Sequence, residues 1–129
     1  MTAAERAVWE DGEGSFSFYG MRSVYMIRTS QAERGILEDY RDGAVLDGVP
    51  CSLNIEHRHQ TQLFNYNITM YYTQISGITN VVRELLLTSP WRRHADKLKR
   101  IEELKKTLAA PDKQGERKMR EAARALRAI

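Results

Sequence analysis

The chain has 129 residues, 42% of them hydrophobic and 29% charged, with a formal net charge of +3. That size fits one domain, and that balance supplies an apolar core without help from a metal or a disulfide. A single cysteine excludes an internal disulfide, and no apolar run approaches the ~18 residues of a membrane-spanning helix.

The charge is unevenly spread. Residues 1–90 hold seven arginines against eleven acids, whereas residues 91–129 hold thirteen lysines and arginines against six acids. All the lysines lie in that last segment. An acidic body with a basic end says something about partners and nothing about fold.

In chain order, Met1 to Gly14 reads as an acidic, turn-rich leader with one possible helical turn from Ala3 to Trp9. It lacks the basic start and apolar stretch of a secretory signal. Trp9 is out of place in a solvated tail and is a candidate contact with the body or with a neighbouring chain. Ser15–Tyr19 and Ser23–Arg28 have the composition of strands, interrupted at Gly20. Ser30 and Glu33 have the spacing of a capping box, which predicts a helix start there. Ile36, Leu37 and Tyr40 give that helix an apolar side, and Gly43 is the expected left-handed end. Gly35 costs the helix about 1 kcal/mol relative to alanine. Ala44–Leu46 then reads as a short strand or extended link, and Asp47-Gly48 as a turn before Pro50.

The strongest pattern runs from Cys51 to Leu87. Cys51, Leu53, Ile55, His57 and His59 alternate with polar residues, and Phe64, Tyr66, Ile68, Met70 and Tyr72 alternate again. Period two places each set on one face of a strand, so the two runs predict a long antiparallel β-hairpin over about 51–73. Ile75, Ile78, Val81, Val82, Leu85 and Leu86 follow at helical spacing and predict a helix that covers the hairpin's apolar face. Tyr71 falls on the other set, which predicts that both faces are covered, one of them by another subunit. Thr88-Ser89-Pro90 ends that helix and begins the next, with Ser89 as its cap. Trp91, Ala95, Leu98, Ile101, Leu104 and Leu108 form one stripe. After a break at Ala109–Asp112, Lys113–Ile129 forms a last helix with Met119, Ala122, Ala123, Leu126 and Ile129 on one side.

The expected fold is therefore α+β. An antiparallel sheet built on the hairpin is packed by helices, with a leader over 1–14, a body over 15–88 and a basic two-helix extension over 89–129.

No catalytic motif stands out. Cys51 and the histidines lie on one strand about 20 Å apart, too far for a nucleophile and its base. His57 and His59 share a strand face and could approach one metal ion, but the four close Cys and His ligands of a structural zinc site are missing. No metal, no cofactor and no enzymatic activity is expected. The informative signal is the basic end: Arg92, Arg93, Lys97, Arg100, Arg117, Lys118, Arg120, Arg124 and Arg127 are candidates for contact with a polyanion or a partner. Trp9, His57, His59, Tyr71 and Trp91 are candidate interface residues.

The sequence predicts a non-enzymatic structural or assembly protein that oligomerises or docks into a larger complex through its body and terminal arms. A ring or shell component, such as a virus or phage particle protein, has this shape. The alternative is a small nucleic-acid-binding or regulatory protein that uses the basic helices. Either would act in the cytoplasm or inside a particle, with protein partners, nucleic acid as a further candidate, and no membrane.

Overall fold

The computed structural model of the chain describes residues 1–19, 24–60 and 66–129, with the side chains of all of these except positions 19, 57–60 and 66–68. Among the described residues the order is α1 (Ala3–Glu13), β1 (Gly14–Tyr19), β2 (Val24–Gln31), α2 (Arg34–Leu46), β3 (Ser52–Gln60), β4 (Tyr66–Ser76), α3 (Ile78–Thr88), α4 (Ala95–Ala109) and α5 (Arg117–Leu126). The strands form one antiparallel sheet in the order β1-β2-β4-β3. The chain is α+β, as the two hydrophobic periodicities predict.

The hairpin exists, but its faces are not those expected. Leu53 lies opposite Thr73 and Ile55 opposite Tyr71, whereas Met70 lies opposite Glu56 and Tyr72 opposite Asn54. Directly paired residues share a face. The apolar set of β3 therefore shares its face with Tyr71, Thr73 and Ile75, and the apolar set of β4 turns the other way. A one-residue change of register moves every side chain across the sheet, and the register was not fixed by the alternation in either strand alone.

The helix-covered face carries Phe16 from β1, Tyr25, Ile27 and Thr29 from β2, and Thr73 and Ile75 from β4, all of them buried. They pack with Tyr40 and Ala44 of α2, with Ile78, Val81, Val82 and Leu85 of α3, with Ile101, Leu104 and Leu108 of α4, and with Met119, Ala122 and Leu126 of α5. Removing side chains of this size from water stabilises by about 1.5–3 kcal/mol each. The C-terminal helices are thus part of the single core and not an extension from it. The apolar stripe of α4 begins late, because Trp91 lies in a 3-10 turn (Ser89–Trp91) and Leu98 is 44% exposed.

Residues 1–14 are likewise part of the body. Thr2 and Glu5 form the capping box of α1: the Glu5 N–H donates to Thr2 Oγ1 (3.2 Å) and the Thr2 N–H to Glu5 Oε1 (3.1 Å). Arg6, Ala7 and Glu10, one face of that helix, are wholly buried. The box expected at Ser30 and Glu33 does not form: Ser30 is in β2, and Glu33 flanks α2 without a side-chain cap. Gly43 does not end α2, and Ala44–Leu46 continues it. Gly43 has a different reason to be glycine. A Cβ there would stand 1.9 Å from the Met1 carbonyl oxygen, so its absence lets the N-terminus lie against α2. The left-handed turn comes later, at Gly48 (φ 83°).

Candidate functional site

The convergence of charge in this molecule is internal. The Arg6 guanidinium donates from Nε and Nη2 to both oxygens of Glu84 (2.9 Å each) and from Nη2 to Asp47 Oδ2 (2.9 Å). Arg92 donates to Glu10 Oε1 (2.7 Å), Asp11 Oδ1 (2.9 Å) and Thr88 Oγ1 (2.6 Å). The Tyr40 hydroxyl joins the two halves, at 2.5 Å from Glu10 Oε2 and 3.5 Å from Glu84 Oε2. Arg6, Glu10, Tyr40 and Glu84 are at most 1% exposed, and Arg92 is 3% exposed. The cluster ties α1 to α2, to α3 and to the turn that leads into α4.

Its electrostatics follow from burial and pairing. Burial opposes the charge on Arg6 and Arg92, but their carboxylate partners outweigh it and raise both pKa values. Burial and then the neighbouring Glu84 push the Glu10 carboxyl up to about 8, against the pull of Arg92. Burial and the same two glutamates raise the Tyr40 hydroxyl. Burial also acts against the Asp11 carboxylate, but the N–H groups of Arg93 (2.8 Å) and His94 (3.1 Å) together with Arg92 hold it below its ordinary range. Asp11 thereby ties α1 to the segment that leads into α4.

Sequence reasoning missed this cluster, and a signal for it was present. Val81, Glu84, Leu85 and Thr88 recur at the spacing of one helix face, so a glutamate sits on the apolar stripe of α3. A charge in such a position demands a buried partner. Arg6 and Glu10, four apart around Ala7, repeat the signal in α1.

Arg92 is therefore not a surface cation; it is consumed by Glu10 and Asp11. The other proposed polyanion contacts divide. Lys97 is half-buried, with its ammonium 5.7 Å from the centre of the Phe16 ring. Arg100 donates to the Phe16 carbonyl (3.4 Å). Arg93 is exposed and donates to the carbonyls of Pro90 (3.1 Å) and Arg92 (2.9 Å). Arg117, Lys118, Arg120 and Arg124 are exposed on α5, and Arg127 is exposed at its C-cap.

Of the candidate interface residues, Trp9 is half-buried on α1 and Trp91 is 45% exposed. Tyr71 is half-buried at the end of the core face, with the Arg34 guanidinium 5.8 Å from its ring centre. The side chains of His57 and His59 lie outside the described residues. The backbone pairs these positions with Thr69 and Asn67. Among the described residues no group of acids, histidines and cysteine is placed to hold a metal ion. Burial, with Glu84 nearby, pushes the Cys51 thiol up to about 12. Among the described residues no helix is long and apolar enough to cross a membrane.

Among the described residues, the other face of the sheet carries no helix. Along β2 it presents Val24, Met26, Arg28 and Ser30, all half-buried, and along β4 Met70, Tyr72 and Gln74. Arg28 donates to Gln74 Oε1 (3.0 Å), and its guanidinium lies 4.4 Å from the centre of the Tyr72 ring. Beyond Gln31, which pairs with Tyr71, β2 ends. Five further β3–β4 pairs, from Glu56–Met70 to Gln60–Tyr66, continue past it as a two-stranded ribbon. Comparison with family models, with curated proteins and with solved structures finds no match to this chain.

Proposed function

We propose that the protein is a non-enzymatic assembly module that associates with a second copy of itself through the helix-free face of its sheet. The observation that carries this reading is the order of groups along that face. Val24 and Met26 lie at one end with Ser17 and Ser76 beside Met26, Arg28 and Gln74 lie in the middle, and Tyr72 and Met70 lie at the other end with Ser30, Asn54 and Glu56 beside them. This apolar–polar–apolar order is preserved by a two-fold rotation, so two copies can be apposed with apolar end against apolar end. Tyr72 with Arg28 stacked on it is a rigid anchor of the kind that dominates interface energies.

The size of the face sets the strength. The strands are staggered: β1 reaches only the level of Thr29, β3 begins at the level of Arg28 and β2 ends at Gln31. At ~3.3 Å by ~4.8 Å per residue, the stretch from Met26 to Met70 therefore offers roughly 300–400 Å² per copy. That lies at or below the small end of specific interfaces and supports reversible association. The ribbon at the end of β3 and β4 favours the same reading, since two strands alone are only marginally stable in water. The convergent acids that an enzyme could use are instead sealed in the Arg6–Glu84 cluster, which supports a structural role for them. The terminal segments pack into the core, so of the expected association through body and arms this reading keeps the part through the body.

Sedimentation velocity from about 1 to 100 μM tests the proposal. The wild type is expected to pass from monomer to dimer across that range, and Tyr72→Glu, folded by circular dichroism, to stay monomeric. A wild type that remains monomeric at 100 μM, or a Tyr72→Glu variant that dimerises equally well, overturns it.

A further inference from the structure

On the side of the molecule away from the open sheet face, α5 packs against α3 and α4 and turns a row of arginines outward. Met119, Ala122 and Leu126 are its buried side. Arg117, Arg120, Arg124 and Arg127, at intervals of three and four, fall within one quarter of the helix circumference on the opposite side. They span about 15 Å at 1.5 Å per residue. Arg117 is paired with Glu121 (2.9 Å), and Arg120 donates to the Gln114 carbonyl (2.7 Å). Arg124 and Arg127 have no carboxylate within ion-pair distance among the described residues.

Grooves run along both flanks of this row. The one against α4 has a volume of about 340 Å³ and is lined by Lys105, Lys106, Gln114 and Arg127 with Ala109 and Ala123. The one against α3 has a volume of about 320 Å³ and is lined by Lys118, with Glu121 the acid beside it. The result is a cationic helical ridge with a further cation on each side.

We propose that this ridge binds the phosphodiester backbone of duplex nucleic acid. A helix matches the ~12 Å major groove, and cations on either flank suit the two strands that border it. No aromatic residue lies in the row to stack on an unpaired base, which favours the duplex over a single strand. Contacts of this type position the protein without reading sequence.

Fluorescence anisotropy with a labelled 20-base-pair duplex, the matching single strand and polyglutamate, at 50 and 200 mM salt, tests the proposal. Four to six phosphate contacts give a log–log salt slope of about −4 to −5, a weakening of roughly 250- to 1,000-fold between the two salts. The Arg124→Gln/Arg127→Gln variant should lose at least tenfold in affinity at 50 mM salt. Its slope should be less steep by about 2. Arg34→Gln, on α2, should behave as wild type. No duplex binding at 50 mM salt overturns the proposal. So does equal or tighter binding of the single strand or of polyglutamate, or an Arg124→Gln/Arg127→Gln variant that binds and responds to salt as the wild type does while circular dichroism shows it folded.

Discussion

Replacing Arg6 by methionine tests the internal charge cluster. The change keeps much of the side-chain volume and removes every bond that the guanidinium makes. Asp47, at 35% exposure, can recover water. Glu84 cannot: its side chain is wholly buried, and what remains to it is the Tyr40 hydroxyl at 3.5 Å and the carboxyl of Glu10. An uncompensated buried carboxylate of this kind costs about 3–5 kcal/mol. For a domain of this length that is a fall in Tm of roughly 10–20 °C. Removing both charges, as Arg6→Met/Glu84→Met, leaves no orphan and should recover more than half of the loss. Urea denaturation of the wild type, both single variants and the double variant supplies the four free energies. A loss below about 1 kcal/mol for Arg6→Met, or a double variant whose cost is the sum of the singles, would refute the reasoning.

Other consequences are as direct. Gly43→Ala places a methyl group on the Met1 carbonyl and should cost about 1–3 kcal/mol in urea melts, with the N-terminal residues losing hydrogen-exchange protection. Leu108→Ala, at a wholly buried position of α4, should cost about 2–5 kcal/mol and lower one cooperative transition for the whole chain; a separate early transition for α4 and α5 would contradict a single core. The stability should also depend on pH through Glu10. Its folded pKa is raised to about 8 from an ordinary 4.5, so the folded state holds that proton more tightly. The stabilisation is complete below the ordinary value and is lost as pH rises through about 8. Urea midpoints should therefore fall between about pH 4.5 and 8 and level off above, and Glu10→Gln should flatten that decline. The Cys51 thiol, held near 12, should react with a disulfide reagent at about pH 8 at least ~10-fold more slowly in the folded protein than in urea.

What was legible in the sequence was periodicity, and what was not was contact between distant segments. The alternation in 51–60 and 64–73 gave a hairpin, and the spacing of Val81, Val82 and Leu85 gave α3, because both patterns are local. Which β4 face meets the helices depends on the pairing of Leu53 with Thr73, and no single strand contains that information. The helical turn expected at Ala3–Trp9 is there, as part of α1, but its place in the core was hidden because its buried face is Arg6, Ala7 and Glu10. Two of the three residues are charged, so the stretch looks solvated until Glu84 and Arg92 are placed beside it. Arg92 misled in the same way, as a surface cation by composition and a buried one by contact. Gly43 looks like a helix end because close approach by Met1, 42 residues away in sequence, leaves no local trace. The arginine row of α5 was legible in full, since it needs only the helical period.

The helix-free face is the feature on which the functional reading depends, and its methionines report on it directly. Met26 and Met70 lie on that face, half-buried, whereas Met119 is in the core at 1% exposure. In methyl NMR spectra of methionine-labelled protein diluted from about 300 to 10 μM, the Met26 and Met70 signals should shift or broaden together while Met119 stays fixed. Signals of Met26 and Met70 that do not change with concentration would contradict self-association through this face.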